Sequence, residues 1–552
     1  MKSKGTMINL SYTHITEVSL MTTTIELGNV HSKLVGASLK AVAAVDAALA
    51  VETPNYNFSH AYKSGSWDGL THFFKISSKK FPTGLLSQVA RALGRVGEEY
   101  TIQDLRSGIQ YTLSDKIQLL HSELGSITLR DYQYESVQKG LEATRGVINV
   151  ATNGGKTEIA CGIIQSLLPN LPVGKRILFF THAKEIFYQS AKRISERLGI
   201  EVGLVGDGVW DEKPVTVVMI PTVGKYLKVP KVLPKNAKRT RLENEIKNIG
   251  KTNPDKVKEL RDTISELEKE EWSKLKSSVK ATKSLLSSAI AFIADEVHHA
   301  SSTTWYDLFM KLETCYYRFG LTGTVSKPGD AENLINRTRL LGCTGKIIIK
   351  ISNKFLIEQG FSAEPTVFML SIDCPTIDWG DYRDALEEGI INNYARNHTF
   401  VSKVVERSTL GHQCLIIVNE TSHGEIVKDL LDEMGVESVF THGQRSGAFR
   451  NESLDRFKSG EIRVLIATTI LDEGVDVSGI NCLFLMAGGK SMRQVLQRIG
   501  RGLRKKADGS GVEVYDALDY HNTYLAEHTM ERYGIYKNEG FQVVKLGQAY
   551  EA

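Results

Sequence analysis

The sequence predicts an α/β protein: two parallel-sheet domains in tandem, a small α+β domain ahead of them, and a helical insertion in the first sheet domain. Three observations carry this. Short apolar runs alternate with amphipathic stretches in two series, "GVINV", "RILFF", "VTVVMI", "AIAFIADE", "RFGLTGT" and then "CLIIVNE", "VESVFTHG", "IRVLIATT", "CLFLMAG", "GVEVYDAL". That is the pattern of parallel strands covered by crossover helices. A glycine turn with a lysine and a threonine joins the first run to its helix in "NVATNGGKTEIACGII", Asn149 to Ile164. Residues 228–283 break the alternation with sixteen Lys/Arg against nine Asp/Glu, a surplus of seven that exceeds the +4 of the whole chain.

Taken in order, residues 1–20 are weakly patterned and read as a flexible tail. Residues 21–122 mix strand and helix signals, with "LKAVAAVDAALAV" as a helix and "THFFKISS" as a strand. Trp67, beside Asp68 and Gly69, reads either as a platform for a nucleic-acid base or as a packing residue of a hairpin. The first sheet domain spans 123–345 and opens on the helix "ITLRDYQYESVQKGLEA"; the second spans 346–552, with a C-terminal extension whose pattern says nothing. Within the first, Leu242, Ile246 and Ile249, then Val257, Leu260, Ile264 and Leu267, recur at three- and four-residue steps on either side of a "TNPD" break. This is a helical hairpin over about 228–283, either a solvated arm or one that contacts nucleic acid.

Bulk properties narrow the class. At 552 residues the chain holds about three or four domains. Its formal charge of +4 is too small to demand a polyanionic partner, so any basic surface is local. The six cysteines (Cys161, Cys315, Cys343, Cys374, Cys414, Cys482) form no C-x-x-C pair and have no histidine at zinc-finger spacing, which fits a reducing interior. No apolar stretch approaches the roughly 18 to 20 residues of a membrane span, and no signal-peptide pattern opens the chain, so the expected setting is cytoplasmic without a membrane partner.

The glycine turn fits a phosphate. Gly154 and Gly155 let backbone N–H groups approach an anion, Lys156 supplies charge, and the Thr157 hydroxyl is placed for Mg²⁺ at a helix N-terminus. The strict pattern fails, since Val150 and Asn153 stand where glycines are usual; a structural turn is the alternative. "AFIADEVHH" puts Asp295 and Glu296 after a strand, an Asp to hold a metal and a Glu to orient and deprotonate water. His298 and His299 lack further ligands for a metal and read as links between hydrolysis and the neighbouring domain. In "SMRQVLQRIGRGLRK", Gln497, Arg498, Arg501 and Arg504 recur at about one helical turn. Arginines placed across a cleft stabilise a transferring phosphoryl group; the bland alternative is a solvated basic helix.

Together these motifs, in order from Leu129 to Lys505, resemble the superfamily 2 helicases. "LRDYQ" resembles the segment that sets Arg130 and Gln133 at the adenine. "ATNGGKT" (with Thr152, Asn153, Gly154, Gly155, Lys156 and Thr157) resembles the phosphate loop, "THAKEIFYQ" motif Ia, "DEVHH" a DEAH-like box and "LTGT" motif III. "THGQRSGAFRNESLDRFKSGEIRVLIATTILDEGVDV" resembles motifs IV and V, with Gly474 and Asp476 near the nucleotide, and "QRIGRGLR" motif VI. The resemblance implies two RecA-like domains, ATP and Mg²⁺ as cofactors, Lys156, Asp295, Glu296, Arg501 and Arg504 in catalysis, and Thr157 and Asp295 on the metal. "SGSWDGLTHFF" and "FPTGLLSQVARAL" further resemble the accessory domain of the UvsW type of phage recombination helicase. That implies ATP-driven branch migration on Holliday junctions, forks and hybrid strands, tracking one strand of branched or duplex DNA alongside recombination or replication proteins, in a bacterial host's cytoplasm. An RNA helicase or remodeller, and a restriction-type duplex translocase that does not separate strands, are the competing expectations.

Overall fold

The computed structural model describes residues 22–250, 253–323, 325, 331–376, 380–468, 480–489 and 511–546. The chain divides into two compact units, Met1–Arg106 and Ser107–Ala552.

In the first unit, strands Thr23–Leu27 and His31–Val35 bury alternate residues, the signature of a sheet with one dry face. They pair antiparallel, with Lys80–Pro82 antiparallel outside one and Tyr100–Asp104 parallel outside the other. Ile25, Leu34 and Phe81 from the strands are fully buried, as are Val45 and Leu49 of helix Leu39–Leu49 and Val89 and Leu93 of helix Leu86–Arg95. A short hairpin joins Ala50–Glu52 to Leu70–His72. Beside it the Trp67 indole N–H donates to the Leu70 carbonyl at 2.9 Å, which ties the ring to its own turn and favours the packing reading.

The second unit begins earlier than the pattern predicts, at Ser107 rather than 123. Ile117 and Leu119 lie in the core of the first sheet domain, the Arg197 guanidinium donates to the Leu120 carbonyl at 3.1 Å, and the polar stretch around Ser122 is the turn of a hairpin, Gln118–His121 with Gly125–Thr128. The sheet itself has eight strands. In spatial order they are Val209–Asp211, Gly203–Gly206, Val215–Met219, Arg176–Thr181, Ala289–Ala294, Tyr317–Thr322, Arg145–Val150 and Ile347–Ile351. Only Val209–Asp211 is antiparallel. Central strands such as Ala289–Ala294 are buried at every residue, as a parallel sheet covered on both faces requires. Because Ile347–Ile351 pairs with Arg145–Val150, the first sheet domain runs to 351, past the expected boundary at 345.

The insertion is a helical hairpin, Ala237–Ile249 and Pro254–Ser288. Asn236 and Asn253 cap the two helices through their side chains. Arg239 clamps the pair, bonding Glu271 at 2.7 Å and the Pro234 carbonyl at 2.7 Å. The second helix is 35 residues long and passes without a loop into strand Ala289–Ala294.

The second sheet has seven strands, all parallel: Ser438–Thr441, Val464–Thr468, Cys414–Val418, Cys482–Leu485, Glu513–Leu518, Thr366–Ser371 and Gln542–Leu546. Two buried ion pairs lie along and just beyond its strand Glu513–Leu518, Arg396 with Asp519 and Arg532 with Asp516, each at 2.8 Å. The same arginines donate to the Met486 and Gly489 carbonyls at 2.9 Å, pinning the chain that leaves strand Cys482–Leu485.

Arg318 is fully buried, and its bonds run to backbone carbonyls. Arg318 donates to the carbonyls of Cys343 (2.9 Å), Leu312 (3.0 Å) and Phe309 (2.7 Å), and so satisfies the ends of two helices beneath strand Tyr317–Thr322. Arg318→Met should destabilise the chain by about 3–5 kcal/mol, because three buried carbonyls lose their donor; urea unfolding of the two proteins measures the difference.

Candidate nucleotide site

The strand order decides where the site forms. Strand Arg145–Val150 lies between Tyr317–Thr322 and Ile347–Ile351, with Ala289–Ala294 one strand further on. Their carboxyl ends therefore gather the glycine turn, the acidic pair and the "LTG" segment, at the kind of crevice where open parallel sheets bind ligands.

The turn demands its residue types. Gly155 has φ +79°, and a Cβ there would fall 2.1 Å from Gln133 Nε2; one on Gly154 would fall 2.4 Å from Val150 Cγ1. Asn153 sits at φ 67°, in the left-handed region that asparagine tolerates better than most side chains, which explains how it replaces a glycine. Gly155 precedes helix Lys156–Leu167 and gives it no side-chain cap, so the first turn keeps its N–H groups for an outside acceptor. A backbone cradle that admits no Cβ, a lysine and an uncapped helix start together fit a phosphate chain.

Lys156 meets the acidic pair directly: its ammonium lies 3.0 Å from Glu296 Oε1. Burial disfavours the charged ammonium, but the Glu296 and Asp295 carboxylates outweigh it and raise its pKa. Burial likewise disfavours the Glu296 carboxylate, yet Lys156 and the His298 ring hold it well below the usual range. Asp295 is displaced the other way, first by burial and then by the neighbouring Glu296 charge. A half-buried carboxylate in that position, with the Thr157 hydroxyl on the first turn of the facing helix, suits a hard divalent cation. Glu296 occupies φ 45°, a strained conformation for a residue with a Cβ.

The contacts of several participants escape the sequence reading, which expected His298 and His299 to link hydrolysis to the neighbouring domain. His298 Nδ1 lies 3.2 Å from Glu296 Oε2 and 3.0 Å from Thr322 Oγ1, so this histidine links the acidic pair to a strand of its own sheet. His299 instead stacks near His182 and Trp305, with ring centroids 4.5 and 5.5 Å away. A Cβ on Gly323 would stand 3.8 Å from Lys156 Nζ and from Thr152 N. On the other side of the turn, Tyr132 Oη and Gln133 Nε2 both donate to the Gly154 carbonyl, at 2.9 and 3.1 Å. Gln133 Oε1 accepts the Arg130 N–H at 3.0 Å, and the Arg130 guanidinium lies 4.3 Å over the Phe361 ring. Gln133 thus braces the phosphate turn from within the protein, and Arg130 with Phe361 forms a flat cationic shelf beside it. Only adjacency in the fold reveals these contacts, since the partners are up to about 230 residues apart in sequence. Gly474, Asp476, Gln497, Arg501 and Arg504 lie outside the described residues.

Two parallel sheets in tandem, the first carrying a phosphate cradle against an acidic pair, define an ATP-driven motor. The family described as "Type III restriction enzyme, res subunit" matches residues 126–327, and "Helicase conserved C-terminal domain" matches 397–506. The chain is a UvsW-like superfamily 2 helicase, an ATP-dependent enzyme. It is similar to the ATP-dependent DNA helicase uvsW of Enterobacteria phage T4, at 22% identity over 522 residues, 89% of this chain and 93% of that protein. It is also similar to the DNA 3'-5' translocase XPB2 of Sulfurisphaera tokodaii, at 27% identity over 420 residues, 69% of this chain and 79% of that one. Among solved structures, T4 UvsW aligns over 95% of this chain and 99% of its own, with 18% identity and a TM-score of 0.43. Among the described residues no helix is long and apolar enough to cross a membrane.

Glu296→Gln should lower ATP turnover by about 100-fold or more while sparing ATP binding; steady-state hydrolysis beside nucleotide titration checks both halves, and undiminished turnover would refute the assigned base. Gly155→Ala should cost affinity for ATP, because the new methyl collides with Gln133 in a backbone conformation alanine resists; a measured ATP affinity equal to that of the parent protein would contradict the cradle.

Proposed function

We infer that this helicase acts on DNA, moving branch points and unwinding branched structures such as four-way junctions and forks. The extent of the likeness to the phage T4 helicase carries this reading: it covers more of the chain than the unit from Ser107 onward could supply, and so takes in part of the N-terminal unit. A shared motor alone would leave the substrate open.

In this reading the cradle from Thr152 to Gly155 and Lys156 seat the triphosphate, with Arg130 and Gln133 on the base side. Glu296 orients the attacking water and takes its proton. Arg501 and Arg504, with Gln497, bring positive charge from the second sheet domain to the transferring phosphoryl group, and Gly474 and Asp476 line the nucleotide from that side. Thr157 and Asp295 would hold Mg²⁺, which would supply charge neutralisation at the phosphate oxygens. His298 passes the state of the Glu296 carboxylate to Thr322 and so to the "LTG" segment. Closure and reopening of the two sheet domains step the motor along one strand, while the N-terminal unit and the basic hairpin grip the duplex. Backbone phosphates dominate such a grip, so affinity falls steeply with salt.

A second reading, translocation on duplex DNA without strand separation, draws on the likeness to a protein named a translocase. A strand-separation assay on a four-way DNA junction, a fork and a matched RNA duplex, with a Lys156→Ala control, separates the cases. Preferential processing of the branched DNA, lost in the control, is the expected outcome. ATP turnover without separation selects the translocase, and equal or better activity on RNA discards the DNA assignment.

A further inference from the structure

At the amino-terminal edge of the second sheet, three neighbouring strands begin on side chains that ligate metals. Cys414, Cys482 and Glu513 open strands Cys414–Val418, Cys482–Leu485 and Glu513–Leu518, with Cys414 in register with Cys482 and Cys482 with Glu513. Parallel strands in register direct such residues to the same face. His412, two residues before Cys414, brings its ring to the same corner. Cys482 Sγ lies 3.5 Å from His412 Nδ1 and 3.4 Å from Glu513 Oε2, and one donor atom from each of the three residues falls within 4.8 Å of the others.

The two Cys482 separations, 3.5 and 3.4 Å, are ones a small tetrahedral ion imposes, and the remaining pair lies within reach of closing to it. With ligand bonds of about 2.0–2.3 Å, the donors of a tetrahedral shell stand about 3.3–3.8 Å apart. Thiol and imidazole donors select a borderline-soft ion over magnesium or calcium. The surroundings support the ligands as well. Glu513 Oε2 accepts from Tyr515 Oη at 2.8 Å and pairs with Arg407 Nε at 3.0 Å, outer contacts of the kind that fix a ligating carboxylate. The charges also balance: a divalent ion and Arg407 bring three positive charges, two thiolates and one carboxylate three negative.

We propose that His412, Cys414, Cys482 and Glu513 form a binding site for one zinc(II) ion. Cys414 completes the shell by a rotation about χ1, since its thiol now donates to the His412 carbonyl at 3.7 Å. Binding forms two metal–thiolate bonds and releases the two thiol protons to solvent, with no change in oxidation state. The ion ties the turn after helix Tyr394–Thr409 to three strands of the sheet, at the end opposite the carboxyl ends from which Asn419 and Met486 continue. It is a structural clamp, separate from the nucleotide chemistry.

The test uses the full chain, reduced, stripped with a chelator and titrated with cobalt(II) alone. One equivalent should produce a thiolate-to-cobalt charge-transfer band and the intense visible bands of a tetrahedral site, and zinc(II) should displace both. Cys482→Ser and His412→Gln should each weaken cobalt binding by about 100-fold, and Cys161→Ser, in the first sheet domain, should leave it unchanged. His412 is half-exposed, so its variant probes the site in a chain whose fold circular dichroism can confirm. Absence of the thiolate band, or equal cobalt affinity in the His412 variant, would each overturn the proposal.

Discussion

The ammonium of Lys156 and the carboxylate of Glu296 are both largely, not wholly, withdrawn from water, and each makes the other's partial burial tolerable. An isolated buried charge costs several kcal/mol, so the contact of 3.0 Å between them fixes how the phosphate turn sits against the acidic strand. The strands that carry them are not neighbours: Tyr317–Thr322 runs between. The gap is bridged by polar groups from that middle strand, with Thr322 reaching His298 and His298 reaching Glu296. Three strand ends are thus joined by directional contacts in place of apolar packing, and a change at any one is felt by the other two. The strained backbone of Glu296 persists because its partners over-determine it.

The second sheet uses the same physics with different residues. Arg396 and Arg532 are buried almost completely, and each divides its donors between a carboxylate and a backbone carbonyl. Burial opposes the Asp519 charge, but the two arginines hold its carboxyl below the usual range. The chain leaving strand Cys482–Leu485 is thereby anchored at Met486 and Gly489 just before the segment that carries Gln497 and the motif VI arginines. One domain positions its loop with a lysine and a histidine, the other with two arginines.

Much of this was legible in the amino-acid order. Runs such as "AIAFIA" and "RILFF" are apolar at every position because both faces of the sheet are covered, and the glycine turn announces itself through residues that only a crowded, left-handed backbone requires. The missed strands show where that signal fails. Gln542–Leu546 is an edge strand with half-exposed residues, so its pattern is too weak to stand out, and Ile347–Ile351 joins the first domain and not the second because pairing partners cannot be read from periodicity. The contacts of Gln133, His298 and Phe361 depend on which segments the fold brings together. So does the corner of His412, Cys482 and Glu513: ligands drawn from three strands leave none of the short spacings by which metal motifs are recognised. The boundary near Ser107 was displaced for the same reason, since Ile117 and Leu119 look like linker until the core that receives them is known.

The helix Pro254–Ser288 gives the enzyme a mechanical property as well as a charged surface. At 1.5 Å per residue its 35 residues make a rod about 50 Å long, joined without a flexible link to the strand that ends at Asp295 and Glu296. A rod fixed at one end to a stiff sheet acts as a lever. Sideways force on its far tip becomes torque at its root, one strand length from the acidic pair. The arm and the acidic strand are thus one continuous piece of backbone.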